Sequence, residues 1–225
     1  MPERFTIDAR DGDARAGVLH LEHGTVATPA FVPLATSATV KTMLPGEVAG
    51  LGYDMVLGNT FHLFIQPGHE LIGRMGGLHE FMGWRKPIIT DSGGFQVFSM
   101  GHGSVAEEIK GSRTGNRQSR ILEISEDGVR FRSYIDGAER FMGPETSMEI
   151  QAALGSDIAL AFDECTPFHV ERDYTARSTE RTHRWLDRCV DWHREHAPGW
   201  QQLYGIVQGG VYEDLRTASA ERISA

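Results

Sequence analysis

Apolar residues in this chain come in short runs that stop on a small or polar residue, and a helical pattern follows each stop. "AFVPLAT" (30–36) leads into "VKTMLPGEVAGLG", and "DMVLGNT" (54–60) leads into a segment around "GHELIGRMGGLHEFMGW". "KPIITDS" (86–92) is the third run, "SDIALAFDEC" (156–165) precedes a long helical pattern, and "QLYGIVQGG" (202–210) precedes "VYEDLRTASAERIS". Strands that alternate with helices predict crossover units and a parallel sheet. A near-continuous apolar run such as 158–162 suits a strand buried on both faces. The helices are read from spacing. Trp185, Leu186, Cys189 and Val190 form one apolar stripe on an otherwise charged segment, the pattern of an amphipathic helix. In "GPETSMEIQAALGS", Pro144 stands at a first helical position and Gly155 just past the end, the expected asymmetry of helix termini.

Two regions break the alternation. "AGVLHLEHGTVATP" (16–29) reads as a hairpin with a turn near His23–Gly24, and "RILEISEDGVRFRSYIDG" (120–137) as a second hairpin turning at Asp127–Gly128. Between Met100 and Arg120 lies a Gly/Ser-rich stretch carrying Lys110, Arg113, Arg117 and Arg120, which reads as a mobile, locally basic loop. Five strand–helix units result. An open doubly wound sheet needs no more, whereas a closed eight-fold barrel needs eight units and typically about 250 residues. A barrel would therefore be left part-way round at Ala225.

Composition narrows the class. Of the 225 residues, 40% are apolar and 24% charged, as in a soluble globular protein. No apolar run approaches the ~18 residues of a membrane span, and "MPERFTIDAR" has no signal-peptide core. The two cysteines, Cys165 and Cys189, form neither a CxxC nor a Cys/His cluster, which argues for a reducing cytoplasm and against a zinc site or disulfide scaffold in this chain. His169, His183, His193 and His196 fit no tight metal spacing. The net charge of −9 runs against a dedicated nucleic-acid-binding domain, whose affinity comes mostly from basic contacts to phosphate.

In parallel α/β folds the functional site is built at the carboxyl ends of strands. Here those ends carry Asn59, Asp91, Asp163 with Glu164, and Gln208. One such residue alone reads as a turn former or helix cap; four in succession point to a ligand. An ionised carboxylate accepts two parallel N–H bonds, which matches the N1–H and 2-amino edge of a guanine. An amide such as Gln208 can donate to the base carbonyl. Gly93–Gly94 and Gly209–Gly210 let a ligand approach the main chain. Phe95 reads either as core or as a stacking platform for a base, and His62 follows a strand end and is a candidate to face the site.

Five segments carry a family resemblance: "TPAFVPLATSATVK", "LGNTFHLFIQPG", "ITDSGGFQVFSM", "SMEIQAALGSDIALAFDECTP" and "YGIVQGGVYEDLR". Together they resemble the bacterial tRNA-guanine transglycosylases (queuine tRNA-ribosyltransferases), in order and over almost the whole chain. The resemblance implies a (β/α)8 TIM-barrel type of α/β fold. This chain, residues 1–225, would be a single partial barrel domain of about five units, with an N-terminal hairpin and a basic loop and hairpin insertion at about 101–137. It implies a cytoplasmic pentosyltransferase that exchanges guanine at the tRNA anticodon wobble position for preQ1 (7-aminomethyl-7-deazaguanine) in queuosine biosynthesis. Its partners would be the tRNA anticodon loop and preQ1 or guanine, with no membrane, and a homodimer in the complete enzyme. By position, Asp91 is similar to the family's general acid/base. Ser92, Gly93, Gly94 and Phe95 adjoin the base, with Phe95 stacking on it. Asp163 matches the carboxylate that reads the guanine-like edge, and Gln208 the amide on the base carbonyl. Asn59 and His62 resemble residues near the neighbouring nucleotide, and Cys165 is carried over as a further contact from the Phe-Asp-Glu-Cys-Thr-Pro segment.

The sequence departs from the family pattern in three places. The family's nucleophilic aspartate in a Pro-Thr-Arg segment, its Gly-Gly-Leu-Ala-Val-Gly strand end and its Cys-x-Cys-x-x-Cys…His zinc site do not occur here. The expectation is a partial member that binds no cofactor itself and is inactive alone, zinc, the further barrel units and the nucleophile being features of the complete family member that are absent here. The alternatives are a truncated or non-catalytic accessory chain of the same family and an unrelated barrel hydrolase that holds a metal through Asp91 and Asp163.

Overall fold

The computed structural model describes residues 4–102, 120–168 and 170–225. In chain order the elements begin with β1 (Phe5–Asp11), β2 (Ala14–Leu21), β3 (Gly24–Thr28), β4 (Leu34–Ala35), α1 (Pro45–Gly50) and β5 (Val56–Gly58). Three short helices follow, α2 (Thr60–Ile65), α3 (His69–Arg74) and α4 (Gly77–Met82), then β6 (Ile88–Thr90) and α5 (Gly94–His102). Beyond them come β7 (Ile121–Ile124), β8 (Val129–Arg132), β9 (Glu139–Met142), α6 (Pro144–Leu154) and β10 (Ile158–Leu160). The chain closes with α7 (Arg172–His196), β11 (Gln202–Tyr204) and α8 (Glu213–Ser224). It is a mixed α/β protein with a parallel sheet. The five predicted strand runs are the five strands of that sheet, in the order β11-β10-β6-β5-β4. The pairs β4–β5, β5–β6 and β6–β10 are parallel. Each strand is shorter than its apolar run: Phe31 and Val32 precede β4, Ala161 and Phe162 follow β10, and Ile206 and Val207 follow β11.

Two compact units share these elements. One comprises Met1–Asp91, Ile150–Ala159 and Ala197–Leu203, and the other Ser92–Glu149, Leu160–His196 and Tyr204–Ala225. In the first unit Val56, Ile88, Ile158 and Ala159 are buried along the strands, and Leu63, Ile72 and Leu78 are buried from the helices. A polar cluster sits in this interior. The Thr90 hydroxyl donates to Gln151 Oε1 at 2.9 Å and meets Ser156 Oγ at 2.7 Å, while Gln201 Nε2 donates to the Ser156 carbonyl at 2.8 Å. Buried polar groups are tolerated only when satisfied in this way. The predicted N-terminal hairpin is present as β2–β3, with Leu21 facing Gly24 and the turn at Glu22–His23. It extends to a third strand, β1. That strand escapes pattern reading because most of its residues are exposed, so no buried face writes an alternation into the sequence.

In the second unit β7, β8 and β9 form an antiparallel meander. The hairpin read over 120–137 is its first two strands, and β9 lies past that boundary. Gly128 has φ +151°, and a Cβ there would stand 2.5 Å from the Met142 carbonyl oxygen, so the Asp-Gly turn admits only glycine. Helix α7 buries Trp185 and Cys189 completely, and the Trp185 ring packs 5.1 Å from that of Phe162. The meander is tied to α7 mainly through the turn residue Glu126, with Arg188 also donating to the Asp127 carbonyl at 3.3 Å. Arg181 and Arg184 pair with the Glu126 carboxylate, and Trp185 Nε1 and Arg188 donate to the Glu126 carbonyl at 2.8 and 2.6 Å. The Arg184 hydrogen bond, with help from Arg181, holds the Glu126 carboxyl down to about 2. Helix α6 begins at Pro144 and stops before Gly155, which has φ +67°, as the sequence predicts. The basic loop expected between Met100 and Arg120 and the side chain of His169 lie outside the described residues.

Candidate functional site

The sequence-predicted residues fall into two clusters, one in each unit. In the first, β5 ends at Gly58 and Asn59 caps helix α2, its Oδ1 accepting the His62 N–H at 2.9 Å. The Asn59 amide donates to Asp91 Oδ2, and the Thr60 N–H donates to Asp91 Oδ1 at 2.8 Å. Thr60 Oγ1 donates to the Asp91 carbonyl, and the Asp91 N–H donates to the Gly58 carbonyl at 3.3 Å. Asp91 thus stands just past β6 with its carboxylate aimed at the first turn of α2, where backbone N–H groups favour a negative charge. Asn59 is buried and Asp91 half-buried. The helix-cap reading of Asn59 holds, and the same side chain also donates to Asp91. His62 lies in the first turn of α2, and its burial lowers its pKa, which favours the neutral ring.

The second cluster forms around Asp163. Its carboxylate is buried and accepts Ser92 Oγ–H on Oδ1 at 2.6 Å and Gln208 Nε2–H on Oδ2 at 2.6 Å. Ser92 Oγ also accepts the Gly94 N–H at 3.0 Å, capping the start of α5. Gly94 is required there: a Cβ would lie 2.4 Å from the Asp163 carbonyl oxygen and 2.8 Å from its Oδ1. Gly93, with φ +81°, makes the turn that brings this about. Gln208 is held from behind, its N–H donating at 3.1 Å to the buried hydroxyl of Ser219. Burial pushes the Asp163 carboxyl up to about 6, against the hydrogen bonds from Ser92 and Gln208 that favour its charged form. A purine edge with two adjacent N–H groups matches such a carboxylate once it is ionised.

The neighbours divide clearly. Glu164 is buried and committed: Arg181 and the Tyr174 hydroxyl each hold its carboxylate at 2.6 Å. It braces α7, whereas Asp163 is the carboxylate that meets Ser92 and Gln208. Phe95 is 44% exposed, so the core reading of that ring is set aside. Cys165 is half-buried. Cys189 accepts the Phe162 N–H on its sulfur and donates to the Pro144 carbonyl, and burial pushes its thiol up to about 12, far from a nucleophile or a ready metal ligand. Two cysteines this far apart in the chain do not fit the family's Cys-x-Cys-x-x-Cys…His zinc pattern. Thr60 and Ser219 are supporting residues the sequence reading missed; Thr60 was legible in principle, since a hydroxyl after a strand-end asparagine opens a helix, while Ser219 sits mid-helix in α8 with no local signal. Among the described residues, no helix is long and apolar enough to cross a membrane.

Comparison with known proteins agrees with the resemblance. The family model described as queuine tRNA-ribosyltransferase matches residues 10–225. A protein named queuine tRNA-ribosyltransferase from Roseiflexus sp. is 52% identical over 96% of this chain and 57% of its own length. A relative of the same name from Pelotomaculum thermopropionicum is 51% identical over 99% of this chain and 55% of its own, and one from Halalkalibacterium halodurans is 50% identical over 96% and 52%. The chain spans about half the length of the curated relatives it matches. With a family model matching residues 10–225 and relatives near one-half identity over nearly all of its length, the chain belongs to the queuine tRNA-ribosyltransferase family.

Proposed function

We propose that this chain carries the base-binding and proton-handling part of a tRNA-guanine transglycosylase, exchanging guanine at the anticodon wobble position for preQ1 in queuosine biosynthesis. The observation that carries the reading is the Asp163 cluster: a buried carboxylate at a strand end, flanked by a primary amide, a hydroxyl and a glycine with no room for a side chain. Asp163 accepts the N1–H and 2-amino protons of the base, Gln208 donates to its carbonyl, and Phe95 stacks on its face. Stacking on an aromatic is worth about 1–3 kcal/mol per base, which offsets part of the cost of drawing the nucleotide out of its stack.

The reaction is a double displacement, as in retaining glycosidases. A carboxylate attacks C1′ of the ribose, the C1′–N9 bond breaks, and guanine leaves with a proton. The entering base then loses its N9 proton and attacks C1′, displacing the carboxylate. Asp91 handles the proton in both halves, and the N–H donors of Asn59 and Thr60 hold its carboxylate in place. The nucleophile is not assigned to Asp163 or Glu164, because one is committed to the base and the other to Arg181 and Tyr174. In the whole protein the five parallel strands belong to a (β/α)8 barrel, and the enzyme is a cytoplasmic homodimer. Exchange of labelled guanine into tRNA, measured in a protein that includes the nucleophile segment, tests the assignment. Asp91→Ala is expected to abolish exchange while base binding persists. Undiminished exchange in that variant would remove Asp91 from the mechanism.

A further inference from the structure

A second cluster of chemistry-bearing side chains lies in the first unit, away from every residue assigned above. His23 occupies the β2–β3 turn, His79 lies in α4, and Asp157 immediately precedes β10. Their ligating atoms, one from each residue, all lie within 4.8 Å of one another. His23 Nδ1 stands 3.0 Å from Asp157 Oδ1, and His79 Nε2 stands 3.3 Å from Asp157 Oδ2. The two imidazoles are stacked, with centroids 3.7 Å apart. No sequence pattern announces this group, because its members come from three widely separated segments.

We propose that His23, His79 and Asp157 form a binding site for a divalent transition-metal ion, with Zn²⁺ the best match. Two imidazole nitrogens and one carboxylate oxygen are a zinc-type donor set, whereas magnesium and calcium sites are built from oxygen. Ligand atoms about 2.0–2.1 Å from a tetrahedral ion are separated by roughly 3.3 Å; each histidine lies at about that distance from one Asp157 oxygen, His23 from Oδ1 and His79 from Oδ2, and the three ligand atoms, within 4.8 Å of one another, would draw together on binding. A second, independent observation comes from His79. Its side chain is 9% exposed, and its Nε2 is buried without a hydrogen bond of acceptable geometry, although it faces the carboxylate. Its contact with the carboxylate is an ion pair at 3.3 Å rather than a well-aligned hydrogen bond, and a metal in front of the nitrogen would replace it with a directed bond.

The surroundings suit a ligand carboxylate. Backbone N–H groups of His23 and Ile88 donate to Asp157 at 3.0 and 2.9 Å, one to each oxygen. They fix its orientation in the manner of the outer-shell partners that orient metal ligands. The His23 side chain is 32% exposed and provides an entry path. Three protein ligands leave a fourth position for water. On binding, the proton between His23 Nδ1 and Asp157 moves to His23 Nε2 or leaves to solvent, and that hydrogen bond is exchanged for three coordinate bonds, one each from His23, His79 and Asp157. The ion would join the hairpin turn, α4 and the start of β10. The site is separate from the family's cysteine-based zinc pattern and does not depend on the transglycosylase reading.

The test is a difference measurement. Wild-type protein, His79→Gln and His23→Gln are stripped with chelator, dialysed against Zn²⁺ alone, and analysed for bound metal. Co²⁺ absorption serves as a second readout. Wild type is expected to retain one equivalent more than either variant, to show visible Co²⁺ bands that both variants lose, and to gain thermal stability with Zn²⁺ where the variants do not. His23 lies in a partly exposed turn, so His23→Gln keeps the test decisive should His79→Gln fail to fold. Equal metal content and equal Co²⁺ spectra in wild type and His23→Gln would overturn the site and leave a hydrogen-bonded triad.

Discussion

At the scale of single residues, the side chain whose environment says most is Asp163. A carboxylate in water ionises near pH 4, and burial raises Asp163 to about 6 while Ser92 and Gln208 wait as donors. Between roughly pH 4 and 6 the folded state holds a proton that the unfolded state has lost. Stability therefore falls as pH rises across that window and levels off above it. Base binding runs the other way, because only the ionised carboxylate accepts two N–H bonds. Affinity for guanine or preQ1 is expected to climb as pH rises through about 6, and Asp163→Asn to flatten both the affinity and the stability profiles. Calorimetric titration and denaturant unfolding at a series of pH values check the two slopes, and a pH-independent wild type contradicts the assignment. Asp163 was legible as a strand-end carboxylate in the sequence. Its burial and its pairing with Gln208 were not, because the two residues are far apart along the chain.

At the scale of elements, the decisive feature is the junction from β6 into α5. "TDSGG" packs a strand end, a cap and a helix start into a few residues, so a serine cap and two glycines are the visible signature of a tight turn. What the signature cannot reveal is the neighbour. The absent side chain of Gly94 makes room for the main chain and carboxylate of Asp163, which arrive from β10. Gly94→Ala is expected to destabilise the protein by about 1–3 kcal/mol, the usual cost of an overpacked contact, and to reduce base affinity more than Ala substitutions at Gly46 or Gly199, where nothing lies within 4 Å of an added Cβ. Thermal unfolding and ligand titration of the three variants separate the effects. The strands and helices themselves were readable wherever one face is buried, as in α7 and β10. Two strands, β1 and β9, were missed: β1 is mostly exposed, and β9 shows one fully buried residue among four.

At the scale of the whole molecule, acidic residues outnumber basic ones and the net charge is −9, so the proposed function rests on base recognition rather than on phosphate contacts. A ligand that binds only the folded state stabilises it by mass action, about 2.7 kcal/mol at one hundred times its Kd. PreQ1 is therefore expected to raise the unfolding temperature of the wild-type chain and to leave that of Asp163→Asn unchanged. A wild type indifferent to saturating preQ1 would count against the base pocket. The amino-acid sequence by itself determined the alternation of strands and helices, the chemistry stationed at the strand ends and the family. These are properties of local order: hydrophobic period, turn residues and short motifs are written over neighbouring positions. Only the tertiary structure decided that Asp163 rather than Glu164 faces Ser92 and Gln208, that Phe95 is left exposed, and that two histidines and an aspartate converge beside β10. Those outcomes depend on which distant segments become neighbours and on which polar groups lose their water, and no local pattern encodes either.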